Sequence, residues 1–469
     1  MSISSFLQKK FLESLFFPAH NRGEALPKEF INLLNSSAGG WDLPELPELG
    51  SPLSCSGLIP NAQNYFSKKF HTNNCWFGVN GASGLIQSAM IAMANPGDYL
   101  LMPRNIHNCV LKTCTLLNII PIFFDLPYSE DIGQFLPITS EWLSKVINDE
   151  SLKEINIAGI ILVNPYYQGY SADIGPLIEI CHEKNLPVLV DEAHGSYFLF
   201  CEEFGLPKSA VRSKADLVVH SLHKSLNSLT QTAVLWHCGE NIDKNKITDS
   251  LNLLQTTSPS ALLLSSCEES ILDWMNTKSL ENYKNRISEA RNIFQQLTFR
   301  GVPLVKTDDP LKIVLNTGCY GIDGFTADKF FYKNGIIAEL PEMMTLTFCL
   351  GFSKHNNFIN SFEKLWKDLI FNTKKKNKLK NSKPPFSFIN IPDIQPAVAW
   401  REQSNIIAIK DSVGKISAEM VCPYPPGIPL LVPGERIDQE RVDWLLEQGL
   451  YCEDLENLTV SVLQLENNS

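Results

Sequence analysis

The sequence predicts an α/β fold in which a mostly parallel, seven-stranded sheet is sandwiched by helices, with an α+β lobe and a small C-terminal domain beside it. From about residue 70 to residue 240, short apolar runs alternate with amphipathic stretches, which is typical of a parallel sheet covered by helices. The composition, 44% hydrophobic and 19% charged, is that of a soluble globular protein. The length of 469 residues leaves room for about three domains.

The apolar runs predict the seven strands of this sheet. They are Cys75–Val79, Tyr99–Met102, Ile119–Phe124, Ile157–Val163, Val188–Val190, Leu217–His220 and Ala233–His237. Helical periodicity fills the gaps between several strands, with predicted helices at Leu85–Ala94, Val110–Leu117 and Pro176–Lys184. Pro176 suits the first turn of its helix, because that position needs no backbone N–H donor.

Composition along the chain predicts five segments. They are an N-terminal arm (1–60), a large domain (61–245), an α+β lobe (246–370), a linker (371–385) and a small C-terminal domain (386–469). The arm contains many Pro and Gly residues, and the sequence leaves open whether it wraps its own chain or a partner. Helices over Ser266–Phe294 and strands near Lys312–Leu315 and Met344–Leu350 indicate the lobe.

The linker is identified by Lys374-Lys375-Lys376 and by Lys383-Pro384-Pro385. A solvated connector is the favoured interpretation, and binding of an acidic partner is the alternative.

The net charge of −11, from 40 basic and 51 acidic residues, argues against binding to nucleic acid or anionic lipid. The sequence contains no apolar stretch near the ~20 residues that a membrane helix needs and no secretory leader, so we expect a cytoplasmic protein. The twelve Cys residues lack a C-x-x-C pair, which favours structural thiols over disulfides or a metal site.

Two side chains at predicted strand ends indicate a catalytic site. Asp191 opens the stretch Asp191-Glu192-Ala193-His194-Gly195 at the end of one strand, where ligands of open α/β sheets bind. Lys224 follows the next strand, within His220-Ser221-Leu222-His223-Lys224-Ser225. A lysine in this place is the nucleophile expected for Schiff-base chemistry, provided that its surroundings lower its pKa. The alternative for Asp191 is a structural role in which it only caps the following turn. The alternative for Lys224 is an exposed lysine on the surface without a catalytic role.

A glycine-rich turn follows the first predicted strand, with the sequence Val79-Asn80-Gly81-Ala82-Ser83-Gly84 before the helix that begins at Leu85. Free amide groups and the helix dipole make such a turn a binding site for a phosphate group, and Ser83 adds a hydroxyl. The turn matches neither the P-loop nor the dinucleotide-binding pattern, so alone it is a weak indication.

His107 lies in a third strand-end stretch, Arg104-Asn105-Ile106-His107-Asn108. Its imidazole could stack on a bound aromatic ring, and a capping or core histidine is the alternative. A phosphate cradle, a stacking imidazole, a carboxylate and a lysine are together what pyridoxal 5'-phosphate requires. The lysine would bind its aldehyde, and the carboxylate would keep its pyridine nitrogen protonated.

At these stretches the sequence resembles the pyridoxal-phosphate-dependent ornithine/lysine/arginine decarboxylases, which have fold type I of the pyridoxal-phosphate enzymes. Further similar stretches extend the resemblance over most of the chain. They are Asn164-Pro165-Tyr166-Tyr167-Gln168-Gly169, Thr230-Gln231, Thr257-Ser258-Pro259-Ser260, Pro423-Tyr424-Pro425-Pro426-Gly427-Ile428-Pro429 and Pro433-Gly434-Glu435. The resemblance implies decarboxylation of arginine, lysine or ornithine in polyamine biosynthesis. It also implies a short form without an N-terminal wing domain and a homodimer with shared active sites.

The resemblance also implies the roles of individual residues. Lys224 would hold the cofactor as a Schiff base, Asp191 would pair with the pyridine nitrogen and His107 would stack on the ring, and these three would be catalytic. The other implied cofactor-binding residues are Ala82, Ser83, Gly84, His194, Ser221 and His223. Ser83, Ser221 and His223 would bind the phosphate and His194 would lie near the ring, while no metal ligand is expected.

Some positions depart from the family pattern. Pro18-Ala19-His20 replaces Pro-Gly-His, Tyr166 replaces a common Thr, and Ala82 replaces a frequently hydroxylated residue, which would remove one hydrogen bond to the phosphate. We expect the arm and the Tyr166 loop to border the pocket, so the substrate stays open. A basic substrate needs an acidic group at its far end, and Glu339 and Glu435 are the candidates.

Two other functions remain as alternatives. The same cofactor supports aldol cleavage and transamination, because pocket geometry decides which bond breaks. A catalytically silent relative that binds the cofactor or a partner enzyme is the other alternative, although Lys224 and Asp191 argue against it.

Overall fold

The central sheet contains the seven predicted strands with slightly shifted ends. In the computed structural model they are β1 (Asn74–Gly78), β2 (Tyr99–Pro103), β3 (Ile120–Phe124), β4 (Ile157–Val163), β5 (Val188–Asp191), β6 (Leu217–Ser221) and β7 (Ala233–His237). Their order is β3-β2-β4-β5-β6-β7-β1. The pairs from β3 to β6 are parallel, and β7 is antiparallel to β6 and β1. The prediction of a mostly parallel sheet is therefore confirmed.

The sheet has eight strands where the sequence predicted seven. The additional strand, Ile389–Asn390, pairs antiparallel with Phe123–Phe124 at the outer edge of β3. Two residues are too few to give a periodic signal, so this strand could not be found from hydrophobic patterning.

The structure describes residues 11–200, 204–355, 357–373, 377–422, 428–449 and 458–464. The start of the predicted arm, the lysines at 374–376 and the part of the proline-rich motif at 423–427 lie outside these residues.

Helices cover both sides of the sheet, and their bounds are Lys28–Ser36, Leu58–Phe70, Gly81–Met93, Asn108–Leu117, Ser140–Ile147, Ile174–Glu183, Leu222–Ser225, Lys244–Leu254, Ala261–Met275, Thr277–Phe299, Gly324–Lys333, Phe358–Thr373, Pro396–Ala399 and Gln439–Gly449. The three helices predicted between strands are present, and each begins two to four residues earlier than predicted. The first begins at Gly81 because the glycine-rich turn becomes part of the helix from its third residue, after the N-cap Asn80.

The core consists of two apolar layers, one on each face of the sheet. Along β5, Val188 and Val190 pack into one layer and Leu189 packs into the other. Because successive side chains of a strand point to opposite faces, a strand that is apolar throughout needs cover on both sides. This explains why the strands read as uninterrupted apolar runs.

The lobe has its own antiparallel sheet, whose strands in spatial order are Leu304–Val305, Lys312–Asn316, Thr345–Cys349 and Leu340–Pro341. The described part of the arm attaches to the lobe of its own chain, because Glu13–Ser14 pairs in parallel with Ile336–Ile337.

The C-terminal unit contains an antiparallel pair of strands and a separate apolar cluster. Ser404–Ala408 pairs with Thr459–Leu463, and Leu431, Ile437 and Val460 belong to the cluster.

Two linker lysines pair with acidic residues of the sheet domain, Lys378 with Asp131 at 2.6 Å and Lys383 with Asp125. The loop after β3 contains two short paired strands, Tyr128–Ser129 and Gln134–Phe135, before the next helix.

Candidate active site

A cavity of about 790 Å³ opens where the parallel strands of the sheet end. It is lined by short segments that follow the strands. They are Gly81–Ser83 after β1, Asn105–Asn108 after β2, Tyr166–Gln168 after β4, Ala193–His194 after β5 and His223–Lys224 after β6. Open parallel sheets bind ligands at this end, because the loops there converge from several strands.

Lys224 lies in this cavity, in the four-residue helix Leu222–Ser225 that directly follows β6. Its Nζ is 3.2 Å from Nε2 of His194. Burial lowers the pKa of the Lys224 ammonium and the charge of Lys312 lowers it further, whereas Asp191 and Glu339 act in the opposite direction. A lysine that can lose its proton is a potential nucleophile, which a surface lysine is not.

His194 forms an aromatic contact beside this lysine. Its ring centroid is 4.4 Å from that of Tyr167 and 5.4 Å from that of Phe17. Burial and the charge of Lys224 lower the pKa of His194 well below its ordinary value, so the ring is neutral at pH 7. A neutral ring can accept a hydrogen bond from Lys224 at Nε2.

Asp191 is the last residue of β5, is buried and lines the same cavity. Its Oδ1 accepts a hydrogen bond from the amide of Ala193 at 3.1 Å, so it does cap the following turn. The turn-capping alternative and the catalytic one are compatible, because the charge of Asp191 also acts on Lys224 and His107.

The glycine-rich turn presents the first turn of the helix Gly81–Met93 to the cavity. Gly81 has φ +70°, a left-handed conformation that favours glycine. A Cβ at Gly84 would lie 3.0 Å from the Cβ of Asn80, so a side chain there would crowd the preceding residue. The hydroxyl of Ser83 forms a hydrogen bond with the thiol of Cys109. The amides of this turn and the dipole of a helix with 13 residues favour an anion.

The remaining predicted residues also line the cavity. His107 faces it and caps the helix Asn108–Leu117, since its Nδ1 accepts the amide of Cys109 at 3.2 Å. Ser221 Oγ is 3.1 Å from Nδ1 of His223. Burial lowers the pKa of His223 to about 4, and the charge of Lys224 contributes to this effect.

Only part of the expected border of the pocket is observed. Tyr166 lines the cavity, whereas Phe17 of the arm packs behind Tyr167. The amide of Ala19 donates to the carbonyl of His223 at 2.9 Å, which ties the arm to the segment that carries Lys224.

Neither sequence-based candidate for the distal carboxylate lines the cavity among the described residues. Glu339 accepts hydrogen bonds from the hydroxyl of Tyr167 and, at 2.9 Å, from the amide of Phe17. Glu435 is fully buried and forms ion pairs with Arg104 and Arg441. Its charge is thus already neutralised by the protein.

Sequence reasoning missed two charged residues near the site, Lys312 and Glu342. Lys312 is buried with its Nζ 3.1 Å from Sγ of Cys349 and 4.2 Å from the ring of Phe17. Glu342 is buried and lines the cavity. Both come from the lobe, more than 80 residues after Lys224, and no local motif marks them.

These residues fit pyridoxal phosphate. The cavity offers a lysine whose pKa is lowered, a buried carboxylate, a cradle of amides and a buried histidine nitrogen, Nδ1 of His194, that has no partner among the described residues. The described residues include no cluster of His, Cys, Asp and Glu that could hold a metal ion. The ten cysteines in the described ranges are all free thiols.

Comparison with protein families identifies the family of the chain. The Orn/Lys/Arg decarboxylase major domain matches residues 9–302, and the C-terminal domain of the same family matches residues 389–449. The chain belongs to the Orn/Lys/Arg decarboxylase family. It is therefore a pyridoxal-phosphate-dependent amino-acid decarboxylase, as the family resemblance implied.

Relatives in this family match along nearly the whole chain. An arginine decarboxylase of Bacillus anthracis is 28% identical, with 96% of this chain and 93% of the relative covered. An arginine decarboxylase of Bacillus subtilis is also 28% identical, with the same coverage. The constitutive lysine decarboxylase of Escherichia coli is 23% identical, with 92% of this chain and 74% of the relative covered.

Solved structures confirm the fold. The lysine decarboxylase of Francisella novicida matches with a TM-score of 0.73 at 18% identity, over 89% of this chain and 73% of that one. A serine palmitoyltransferase of Sphingomonas wittichii matches with a TM-score of 0.59 at 15% identity, over 78% of this chain and 92% of that one. Both support fold type I. Within the described ranges, no helix has the length and apolar character to span a membrane.

Proposed function

We propose that this decarboxylase removes the α-carboxylate of a basic amino acid, with arginine as the first candidate and lysine and ornithine after it. The observation that carries the proposal is Lys224, a lysine whose pKa is lowered, in one cavity with Asp191 and the glycine-rich turn. Arginine comes first because four relatives with identities of 27–28% are named arginine decarboxylases, whereas three relatives named lysine decarboxylases are 21–23% identical.

The cofactor-binding roles are proposed as follows. Lys224 holds pyridoxal phosphate covalently through its ε-amino group, Asp191 holds a proton on the pyridine nitrogen, and His107 packs on the ring. The phosphate is held by the amides and side chains of the segment Ala82–Gly84 together with Ser221 and His223, and His194 lies near the ring.

When bound, the cofactor supplies an electron sink for the carbon that loses CO₂. Asp191 maintains that sink, because a buried carboxylate stabilises the protonated ring nitrogen. Lys224 can exchange protons at Nζ, since burial lowers its pKa toward the working pH. His194, 3.2 Å away, accepts a hydrogen bond from Nζ and orients it. Lys224 is therefore the candidate that returns a proton to the substrate carbon, with a nearby histidine as the alternative.

We also propose that two copies form a cytoplasmic homodimer with shared active sites. This proposal rests on the family resemblance, and sedimentation of the purified protein at a mass near twice 52.6 kDa would support it.

The test is a product screen with purified protein, pyridoxal phosphate and each basic amino acid. We expect CO₂ together with agmatine, cadaverine or putrescine. Lys224→Ala should abolish this activity and the label that borohydride reduction fixes on the protein. Lys312→Met, which removes the other buried lysine near the site, should keep that label on Lys224.

The outcomes separate the candidate functions. Keto-acid formation without CO₂ would favour an aminotransferase, and aldehyde release would favour an aldolase. Cofactor uptake with no product from any amino acid would favour the silent relative. Borohydride labelling of a lysine other than Lys224 would contradict the assigned nucleophile.

A further inference from the structure

Glu342 is a buried carboxylate at the wall of the cavity. It lies in the turn between the lobe strands Leu340–Pro341 and Thr345–Cys349, and only 5% of its surface is exposed. The cavity that Lys224 lines is also lined by Glu342. The carboxylate is thus in reach of whatever occupies the cavity.

The partners of this carboxylate are all neutral. Gln168 donates to Oε1 at 2.8 Å, and Gln134 and Thr345 donate to Oε2 at 2.6 and 3.0 Å. Within the described ranges no Lys, Arg or His nitrogen lies within 4.0 Å of it. A buried charge is normally paired with an opposite charge, so this site lacks a cation.

The arrangement around Glu342 is fixed in advance. The hydroxyl of Tyr170 donates to Oε1 of Gln134 at 2.8 Å, which turns the amide nitrogen of Gln134 toward the carboxylate. Gln168 directly follows Tyr167, whose ring lies against His194, the partner of Lys224. One short segment therefore joins the surroundings of Lys224 to those of Glu342.

Burial raises the pKa of Glu342 to about 7, against the opposing effect of its three hydrogen-bond donors. This direction agrees with the geometry, because a carboxylate without a cation is costly in a partly closed cavity. A bound cation would favour the charged form and remove this cost.

The other carboxylates near the cavity are less suited to bind a cation. Asp191 is assigned to the cofactor, and Glu339 and Glu435 do not line the cavity. Glu419 does line it from the C-terminal unit, but it is only half-buried and accepts the amide of Ser461 at 2.7 Å.

We propose that Glu342 binds the distal cationic group of the substrate, the guanidinium of arginine or the ammonium of lysine or ornithine, and so determines specificity. The inference rests on the proposed decarboxylation and extends it to the residue that recognises the substrate side chain. A charge-assisted hydrogen bond in a buried site would supply the selectivity for a basic side chain.

The test compares Glu342→Gln with wild type on arginine and on citrulline, its neutral counterpart, and repeats the comparison with lysine and ornithine. Loss of a hydrogen bond to a charged group corresponds to about a 10- to 100-fold change. We expect kcat/KM for the preferred basic amino acid to fall by that factor, mainly through KM. The preference over citrulline should fall with it, while cofactor absorbance is retained. Glu419→Gln, the same change on the other lining glutamate, is the matched control and should alter this preference less than about threefold.

Each outcome bears on the inference. If wild type releases CO₂ from a basic amino acid but Glu342→Gln keeps its preference, or Glu419→Gln loses it, the inference is wrong and the proposed function stands. If wild type decarboxylates no basic amino acid, both are wrong. If Glu342→Gln unfolds, the same comparison is made with Glu342→Asp, because this variant keeps the negative charge. If Glu342→Asp retains the preference for the basic substrate over citrulline, this supports the inference. If Glu342→Asp loses activity equally on both substrates, this contradicts it.

Discussion

The substrate-binding role proposed for Glu342 would come at a cost to the stability of the fold. Its side chain is 5% exposed and is bound by three neutral donors. Hydrogen bonds alone do not offset the loss of hydration of a carboxylate, so its ordinary charged form is disfavoured in the folded protein. Residues placed for binding are often unfavourable for stability in this way.

The pH dependence of stability should report this residue. Burial raises the pKa of Glu342 from 4.5 to about 7. Since the folded-state pKa is the higher one, its stabilising contribution is complete below about pH 4.5 and is lost as pH rises through about 7, up to about 3 kcal/mol. We expect the free energy of unfolding of Glu342→Gln, measured in denaturant without substrate, to fall less than that of wild type between pH 5 and pH 8. Equal losses would contradict this.

Single residues differed greatly in how well the sequence predicted their position. Lys224, Asp191 and His107 follow strands directly, so their placement at one edge of the sheet follows from the alternation of strands and helices. Glu342 receives its hydrogen bonds from Gln134 and from a residue 174 positions away. No local pattern carries such a contact, and Glu339, the candidate three residues earlier, does not line the cavity although its charge acts on Lys224.

Among the secondary-structure elements, the helix Gly81–Met93 contributes its first turn to the wall of the cavity. Its first turn was predicted as a loop because of its glycines, although Ala82 and Ser83 are already helical. Ala82 is buried at this turn and lines the cavity. The methyl group of Ala82 cannot donate a hydrogen bond to a phosphate group, whereas a hydroxyl at this position could.

Ala82→Ser should therefore increase cofactor affinity. A new hydrogen bond to a charged acceptor contributes about 1.5–3 kcal/mol, so the Kd for pyridoxal phosphate should fall about 10- to 100-fold. This Kd is measured by titrating the apoenzyme with pyridoxal phosphate and following the absorbance of the bound cofactor. Ala94→Ser, at the other end of the same helix, adds a hydroxyl remote from the cavity and should leave the Kd unchanged. A higher Kd for Ala82→Ser would indicate that the hydroxyl is not directed at the phosphate.

On the scale of the whole molecule, one buried ion-pair network joins the sheet domain to the C-terminal unit. Arg104, just after β2, packs between the rings of Phe123 and Phe386 at 4.2 and 4.7 Å. It pairs with Glu435, which also pairs with Arg441 at 3.2 Å. The sequence did not suggest the pairing of Arg104 with Glu435, because 331 residues separate them.

Removal of Glu435 should destabilise the protein strongly. Glu435→Ala leaves the buried guanidinium of Arg104 without its carboxylate, which typically costs about 3–5 kcal/mol, whereas Arg441 keeps its ion pair with Asp438 at 2.7 Å. Chemical denaturation of the variant should show this loss, and the exposed Glu402→Ala, in the same unit, should change stability by less than about 0.5 kcal/mol. A small effect for Glu435→Ala would mean that solvent reaches the network.

The wall of the cavity is assembled from residues far apart in order of synthesis, from Gly81 to Leu458 and Thr459. A chain emerging from the ribosome presents Lys224 and the glycine-rich turn long before the C-terminal wall exists. The cavity can therefore be completed only after the last of these segments has been synthesised.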